Sequence, residues 1–140
     1  MPTEPGYRHV TAYLCAKGAA QAIDFYTRAF DARETMRMDN PDGSVGHAEI
    51  TIGATALMLS DEAPEFGVFS PATLKGSSTA FVLEVEDVDT AVKHAVDAGA
   101  TLERPATDEP YGRIAWLVDP FGHRWSLHTT NPNFDPSQMA

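Results

Sequence analysis

The sequence has a single cysteine, few basic residues and no long apolar run. Because Cys15 is alone, it excludes an internal disulfide framework and a cysteine-cluster metal site, and it favours a reducing, cytoplasmic location. No apolar run reaches the roughly 20 residues that span a bilayer. The segment from Met1 to Pro5 has neither the basic nor the apolar part of a signal peptide. We therefore expect no membrane partner and no secretion.

Basic residues are also scarce relative to acidic ones. The chain has 10 Lys and Arg against 20 Asp and Glu, which gives a formal net charge of −10. Repulsion from phosphate groups makes nucleic acid an unfavourable partner. With 43% hydrophobic and 21% charged residues over 140 positions, the chain has the composition of one globular domain. Among small molecules, the negative charge favours a cationic ligand.

Two segments have the three- and four-residue apolar spacing of amphipathic helices, at 19–30 and 88–98. Asp87 and Gly99 stand where the N-cap and C-cap of the second helix belong. Alternation and turn residues predict a loop at 105–110 and eight strands, at 10–16, 33–39, 45–52, 55–60, 79–85, 101–104, 112–118 and 123–129.

Each half therefore has the order strand, helix and three strands. This order predicts an α+β fold of two βαβββ modules, at about 7–62 and 79–130, with a connector at 61–78 and a polar surface tail at 131–140. A generic α+β sandwich with the same order by coincidence is the alternative.

Strand alternation places an aliphatic set, including Val10 and Leu14, beneath the helices. The opposite face mixes polar, aromatic and small side chains, which favours a concave ligand-binding surface over a solvated one. The candidate ligand-binding residues are Tyr13, His47, Glu49, Met58, Trp116, Arg124, Ser126 and His128. The spacing of His47 and Glu49 suits metal chelation, general-base chemistry or a plain hydrogen bond between the two.

Several segments resemble the vicinal oxygen chelate superfamily, the glyoxalase/bleomycin resistance/dioxygenase group. They are AIDFY at 22–26, AF at 29–30, VEDVD at 85–89, AGA at 98–100 and DPFGHRW at 119–125. TAYL at 11–14, GHAEI at 46–50 and LMLSDE at 57–62 are similar to its bacterial PhnB-like branch. The resemblance implies paired βαβββ modules whose sheets curl around a shared cavity, and a homodimer.

In metal-dependent members of that superfamily, the first and last strands of each module supply His and Glu ligands. The resemblance puts those positions at Thr11, at or beside Met58, at Ala80 and at Ser126, and none of these four is a competent ligand for a divalent metal. It therefore implies a metal-free, cofactor-free protein that sequesters a drug-like or metabolite ligand, with no assigned catalytic residue. One alternative is a lyase, isomerase or dioxygenase that uses one divalent metal held by His47, Glu49 and a further histidine. The other is a structural or regulatory dimer with no small ligand.

Overall fold

The computed structural model describes residues 4–138, which form two four-stranded sheets and three helices. The first sheet contains β1 (Tyr13–Cys15), β2 (Arg33–Asp39), β3 (Val45–Ile52) and β4 (Thr55–Ser60), in the order β1-β4-β3-β2. The second contains β5 (Ala80–Glu84), β6 (Thr101–Glu109), β7 (Gly112–Val118) and β8 (Arg124–Thr130), in the order β5-β8-β7-β6. The helices are α1 (Ala19–Phe30), α2 (Pro71–Leu74) and α3 (Val88–Ala98).

The two sheets share one topology, which confirms the α+β fold of two βαβββ modules. In each sheet the first strand pairs in parallel with the last, and the other neighbours are antiparallel. The connector between them holds a 3₁₀ turn at Pro64–Phe66 and the short helix α2. Among residues 4–138, no helix is long and apolar enough to cross a membrane.

Helix α1 begins without a side-chain cap of its own, because Gly18 occupies the N-cap position. Asp61, which follows β4, supplies the missing acceptor. One of its oxygens accepts the amides of Gly18 and Ala19 at 2.9 Å, and the other accepts the amide of Val45 at 2.7 Å. A single carboxylate thus joins the start of α1 to β3 and β4, and its negative charge faces the positive end of the helix.

Trp125 joins the two modules through the core. Its ring lies 5.5 Å from that of Tyr26, 4.8 Å from that of Phe30 and 4.9 Å from that of Phe81, centroid to centroid. Tyr26 and Trp125 both donate to the buried carboxylate of Asp119, over 2.5 and 2.9 Å. Burial, reinforced by the charge of Asp119, raises the pKa of Tyr26 well above its ordinary value.

The predicted first strand is too long. It was expected at 10–16 with Val10 beneath the helices, whereas β1 begins at Tyr13 and Val10 is 99% exposed. The parallel register that sets Tyr13 opposite Met58 would set Val10 opposite Thr55, at an exposed end of β4. Thr55 and Ala56 are both exposed there, so Val10 is not buried beneath a helix.

The predicted loop at 105–110 is also wrong. Strand β6 continues through Pro105 to Glu109. Pro105 has no backbone N–H, and an edge strand such as β6 tolerates this because one of its sides forms no ladder hydrogen bonds. The pairing of β6 with β7 is also irregular between Arg104 and Thr107, on either side of Pro105. The tail is tied back where it starts, since the amide of Asn131 donates to Tyr111 O at 2.8 Å. Residues 139–140 of the predicted tail lie outside the described residues.

Candidate functional site

Four of the predicted site residues lie together on the first sheet. Tyr13 on β1 is opposite Met58 on β4, and Met58 is opposite Glu49 on β3. Residues directly opposite one another in a ladder project from the same face, and His47 shares that face because it is two residues from Glu49. The opposite face of β3 carries Ala48 and Ile50 in the core.

Hydrogen bonds connect three of these side chains in a row. Tyr13 Oη lies 2.7 Å from His47 Nδ1, and His47 Nε2 lies 3.0 Å from Glu49 Oε2. Both imidazole nitrogens are therefore occupied by protein partners. Of the three uses that the His47–Glu49 spacing allows, the structure contains the plain hydrogen bond between the two side chains. The Tyr13 hydroxyl extends it with a second hydrogen bond to His47.

Two methionines of β2 border this row, and the sequence reasoning missed them. Met38 is opposite His47, and Met36 is opposite Glu49. Their alternation about Arg37 was the available signal, but the pairing of β2 with β3 was needed to place them. We call this group the first site face: Tyr13, Met36, Met38, His47, Glu49 and Met58.

The other four predicted residues lie together on the second sheet. Trp116 on β7 is opposite Ser126 on β8, which is also opposite Val82 on β5. The Arg124 guanidinium lies 4.8 Å from the centre of the Trp116 ring, a cation–π contact, and donates to Glu103 at 2.7 Å. We call this group the second site face: Val82, Glu84, Trp116, Arg124, Ser126 and His128.

Glu84 holds His128, and the sequence reasoning left Glu84 out of the site. His128 Nδ1 lies 3.1 Å from Glu84 Oε2, and Glu84 Oε1 accepts the amide of Thr130 at 2.9 Å. Hydrogen bonding to Thr130, with a smaller contribution from His128, lowers the pKa of Glu84. The lower pKa keeps the carboxylate available as an acceptor for the imidazole.

Two buried polar atoms of the second site face have no hydrogen-bond partner among the described residues, Ser126 Oγ and His128 Nε2. Ser126 is 0% exposed. A cleft of about 320 Å³ lies beside this face, against Trp116, Ile114 and Tyr111. A ligand in the cleft can therefore meet Trp116 directly, whereas Ser126 is enclosed.

The two site faces are separate within one chain. Within residues 4–138, no hydrogen bond, ion pair or ring contact connects a side chain of one face to a side chain of the other. Tyr13 instead borders a cleft of about 410 Å³ that also contains Phe69, Phe81, Cys15 and His123.

The surroundings of His123, Cys15 and His94 favour structural roles over chemical ones. His123 is buried, and its Nε2 lies 2.9 Å from Cys15 O, so it links the two modules. Burial, aided by the charges of Glu62 and Asp61, raises the pKa of Cys15 to about 11, which makes its thiol a poor nucleophile. His94 is exposed on α3.

Comparison with known proteins identifies the family. The sequence model of the glyoxalase/bleomycin resistance protein/dioxygenase superfamily matches residues 6–127. The chain belongs to this superfamily. An uncharacterized Mycobacterium tuberculosis protein is 39% identical over 137 residues, covering 94% of this chain and 81% of the relative.

Two solved structures share the fold, and one of them is a PhnB protein. An Arabidopsis thaliana gene product is 27% identical, covers 87% of this chain and 98% of its own, and superposes with a TM-score of 0.72. A PhnB protein of Bacillus cereus is 25% identical, covers 88% and 100%, and has a TM-score of 0.65.

The residues at the positions where the resemblance puts the superfamily's metal ligands do not have the chemistry of ligands for a divalent cation. Met58 and Ser126 lie on the two site faces, Thr11 precedes β1, and Ala80 begins β5. None carries a carboxylate, an imidazole or a thiolate. Within the described part of the chain, no three His, Cys, Asp or Glu side chains are grouped as a metal site would require.

Proposed function

We propose that this protein is a metal-free binding protein that holds a drug-like or metabolite ligand on its site faces without breaking a bond. The observation that carries the proposal is the chemistry of the four metal positions. Thr11, Met58, Ala80 and Ser126 offer hydroxyl, thioether and methyl groups, which do not hold a divalent metal against water.

The composition of the site faces supports a planar, largely apolar ligand. Thioethers are polarisable and adapt to flat rings, and the first site face carries three of them, from Met36, Met38 and Met58. The second carries the indole of Trp116 beside an open cleft. A few polar groups among apolar walls are the usual composition of a small-molecule site.

Metal content tests the proposal against the metal-dependent enzyme. We expect elemental analysis of the purified protein, after dialysis against each divalent metal in turn, to find well under one metal per chain. One tightly held metal per chain, lost on His47→Gln or Glu49→Gln, would instead support the lyase, isomerase or dioxygenase alternative.

Removal of the Trp116 indole tests the binding surface. Because one aromatic contact contributes about 0.5–1.5 kcal/mol beyond its buried area, we expect Trp116→Ala to weaken binding of 2-naphthol at the second site face about fivefold. Isothermal titration measures the affinity. Phe66→Ala removes an exposed aromatic ring of the connector and serves as the control. Equal affinities of wild type and Trp116→Ala would mean that the ligand does not bind at the second site face.

We propose further that the protein is a cytoplasmic homodimer. Support comes from the edge strands β1 and β5, whose open edges a second copy can pair with. A second copy would cover surfaces that one chain leaves open. We expect sedimentation equilibrium at micromolar concentration to give twice the 15.2 kDa chain mass, and a species of one chain mass alone would contradict the dimer.

A further inference from the structure

The hydrogen-bond row of Tyr13, His47 and Glu49 has a direction. An ionised carboxylate only accepts hydrogen bonds, so the Glu49–His47 contact requires a proton on His47 Nε2. In a neutral imidazole the other nitrogen, Nδ1, is then an acceptor. With His47 neutral, the Tyr13 hydroxyl, 2.7 Å from Nδ1, donates its proton to it, whereas a doubly protonated His47 would donate from Nδ1 to Tyr13 Oη.

This direction decides what Tyr13 offers to a ligand. A phenol has one proton and two acceptor positions, and the proton of Tyr13 is committed to His47. The phenol oxygen therefore presents only acceptor capacity to its surroundings. Tyr13 is 51% exposed, so a ligand on the first site face can reach this oxygen.

Of the side chains beside Tyr13 Oη, neither His47 nor the methionines offer a ligand a second strong acceptor. Both nitrogens of His47 are occupied within the row. Met36, Met38 and Met58 flank the row with thioethers, which are weak acceptors and cannot donate. A ligand polar group over Tyr13 thus meets the phenol oxygen in polarisable, mainly apolar surroundings, with the Glu49 carboxylate beyond His47 at the other end of the row.

We infer that Tyr13 Oη is the acceptor that selects planar ligands with an O–H or N–H donor, with neutral phenols as the simplest class. The inference rests on the proposed small-molecule binding and names the chemistry of the ligand. A ligand whose only polar group is an acceptor, such as an aryl ether, leaves the Tyr13 oxygen without a partner and loses affinity.

Matched probes test the inference: 2-naphthol, which donates through its hydroxyl, and 2-methoxynaphthalene, whose methyl group removes the donor. Titration calorimetry at pH 7 measures both affinities for wild type, Tyr13→Phe and the control Tyr7→Phe, a change at an exposed tyrosine ahead of β1. The ratio of the two affinities, compared between variants, cancels the difference in hydrophobicity between the probes.

We expect the naphthol-to-ether affinity ratio to be about fivefold higher in wild type and Tyr7→Phe than in Tyr13→Phe, as loss of one neutral hydrogen bond predicts. Glu49→Gln is an independent variant, because an amide can donate to Nε2 and reverse the row. Tyr13 would then be free to donate, and the ratio should fall toward that of Tyr13→Phe.

An unchanged ratio in both Tyr13→Phe and Glu49→Gln, with both probes still bound, would overturn the inference and leave the proposed function standing. Failure of wild type to bind either probe at millimolar concentration would count against the proposed function itself, and the inference would fall with it. Thermal unfolding of each variant confirms that it is folded under the titration conditions.

Discussion

Replacing Asp119 with alanine is expected to lower the free energy of unfolding by about 4 kcal/mol, and Tm by about 15 °C. The Asp119 carboxylate is buried and accepts four hydrogen bonds, from Tyr26 Oη, Trp125 Nε1 and the amides of Phe121 and His123. Alanine leaves these donors without their partner, and an unsatisfied buried donor costs about 1–3 kcal/mol. Urea unfolding followed by circular dichroism measures the loss.

Two further variants make this prediction specific. Asp108→Ala removes a carboxylate that is 82% exposed and paired with Arg113, so its effect should stay within about 0.5 kcal/mol. Tyr26→Phe removes one donor while keeping the ring, and should cost about 1 kcal/mol. If Asp119→Ala were no more destabilising than Asp108→Ala, the carboxylate would not hold the two modules together.

Local pattern was sufficient to predict most elements. The bounds of α1, α3, β2, β3, β4 and β7 agree with the segments expected from periodicity and turn residues. Asp87 caps α3 as its position before the helix suggests, accepting the amide of Thr90 at 3.0 Å. These features depend on residues within a few positions of one another.

Features that depend on long-range contacts were not predictable from pattern. The length of β1 and the course of β6 through Pro105 follow from each strand's place at a sheet edge. Asp61 caps α1 from more than 40 positions away, and nothing local marks it for that role. Likewise, nothing near Tyr26 in the sequence marks Asp119 as the acceptor of its hydroxyl.

For the site, strand alternation predicted the face of the sheet on which each residue lies. It did not predict which two faces lie beside one another. Tyr13, His47, Glu49 and Met58 were expected to join Trp116, Arg124, Ser126 and His128 around one cavity, whereas each set lies on its own sheet. Period-two alternation fixes the side of a strand, and only the packing of the two modules decides which faces meet. Their joint role in one ligand site stays a prediction.

Gly112→Ala is expected to lower the free energy of unfolding by about 4 kcal/mol or more, as much as Asp119→Ala. Two separable effects cause the loss, backbone strain and a steric clash. Gly112 begins β7 with φ of +149°, where side chains other than glycine are strained. A Cβ there would also lie 2.1 Å from Thr129 O and 2.9 Å from His128 Nε2. The added methyl must therefore displace β8 at the point where it carries His128.

Two other glycines separate strain from collision. Gly67 has φ of +73° with nothing within 4 Å of a built Cβ, so Gly67→Ala should cost about 1 kcal/mol through backbone strain alone. Gly76 has the same open space without a positive φ, so Gly76→Ala should be neutral or slightly stabilising. Chemical denaturation ranks the three variants.

The structure requires Gly112→Ala to be far the most destabilising of the three, because only at Gly112 does the backbone of a paired strand occupy the place of the methyl group. A loss at Gly112 no larger than that at Gly67 would mean that β8 and His128 can move aside without cost, and that the second site face is not rigidly held.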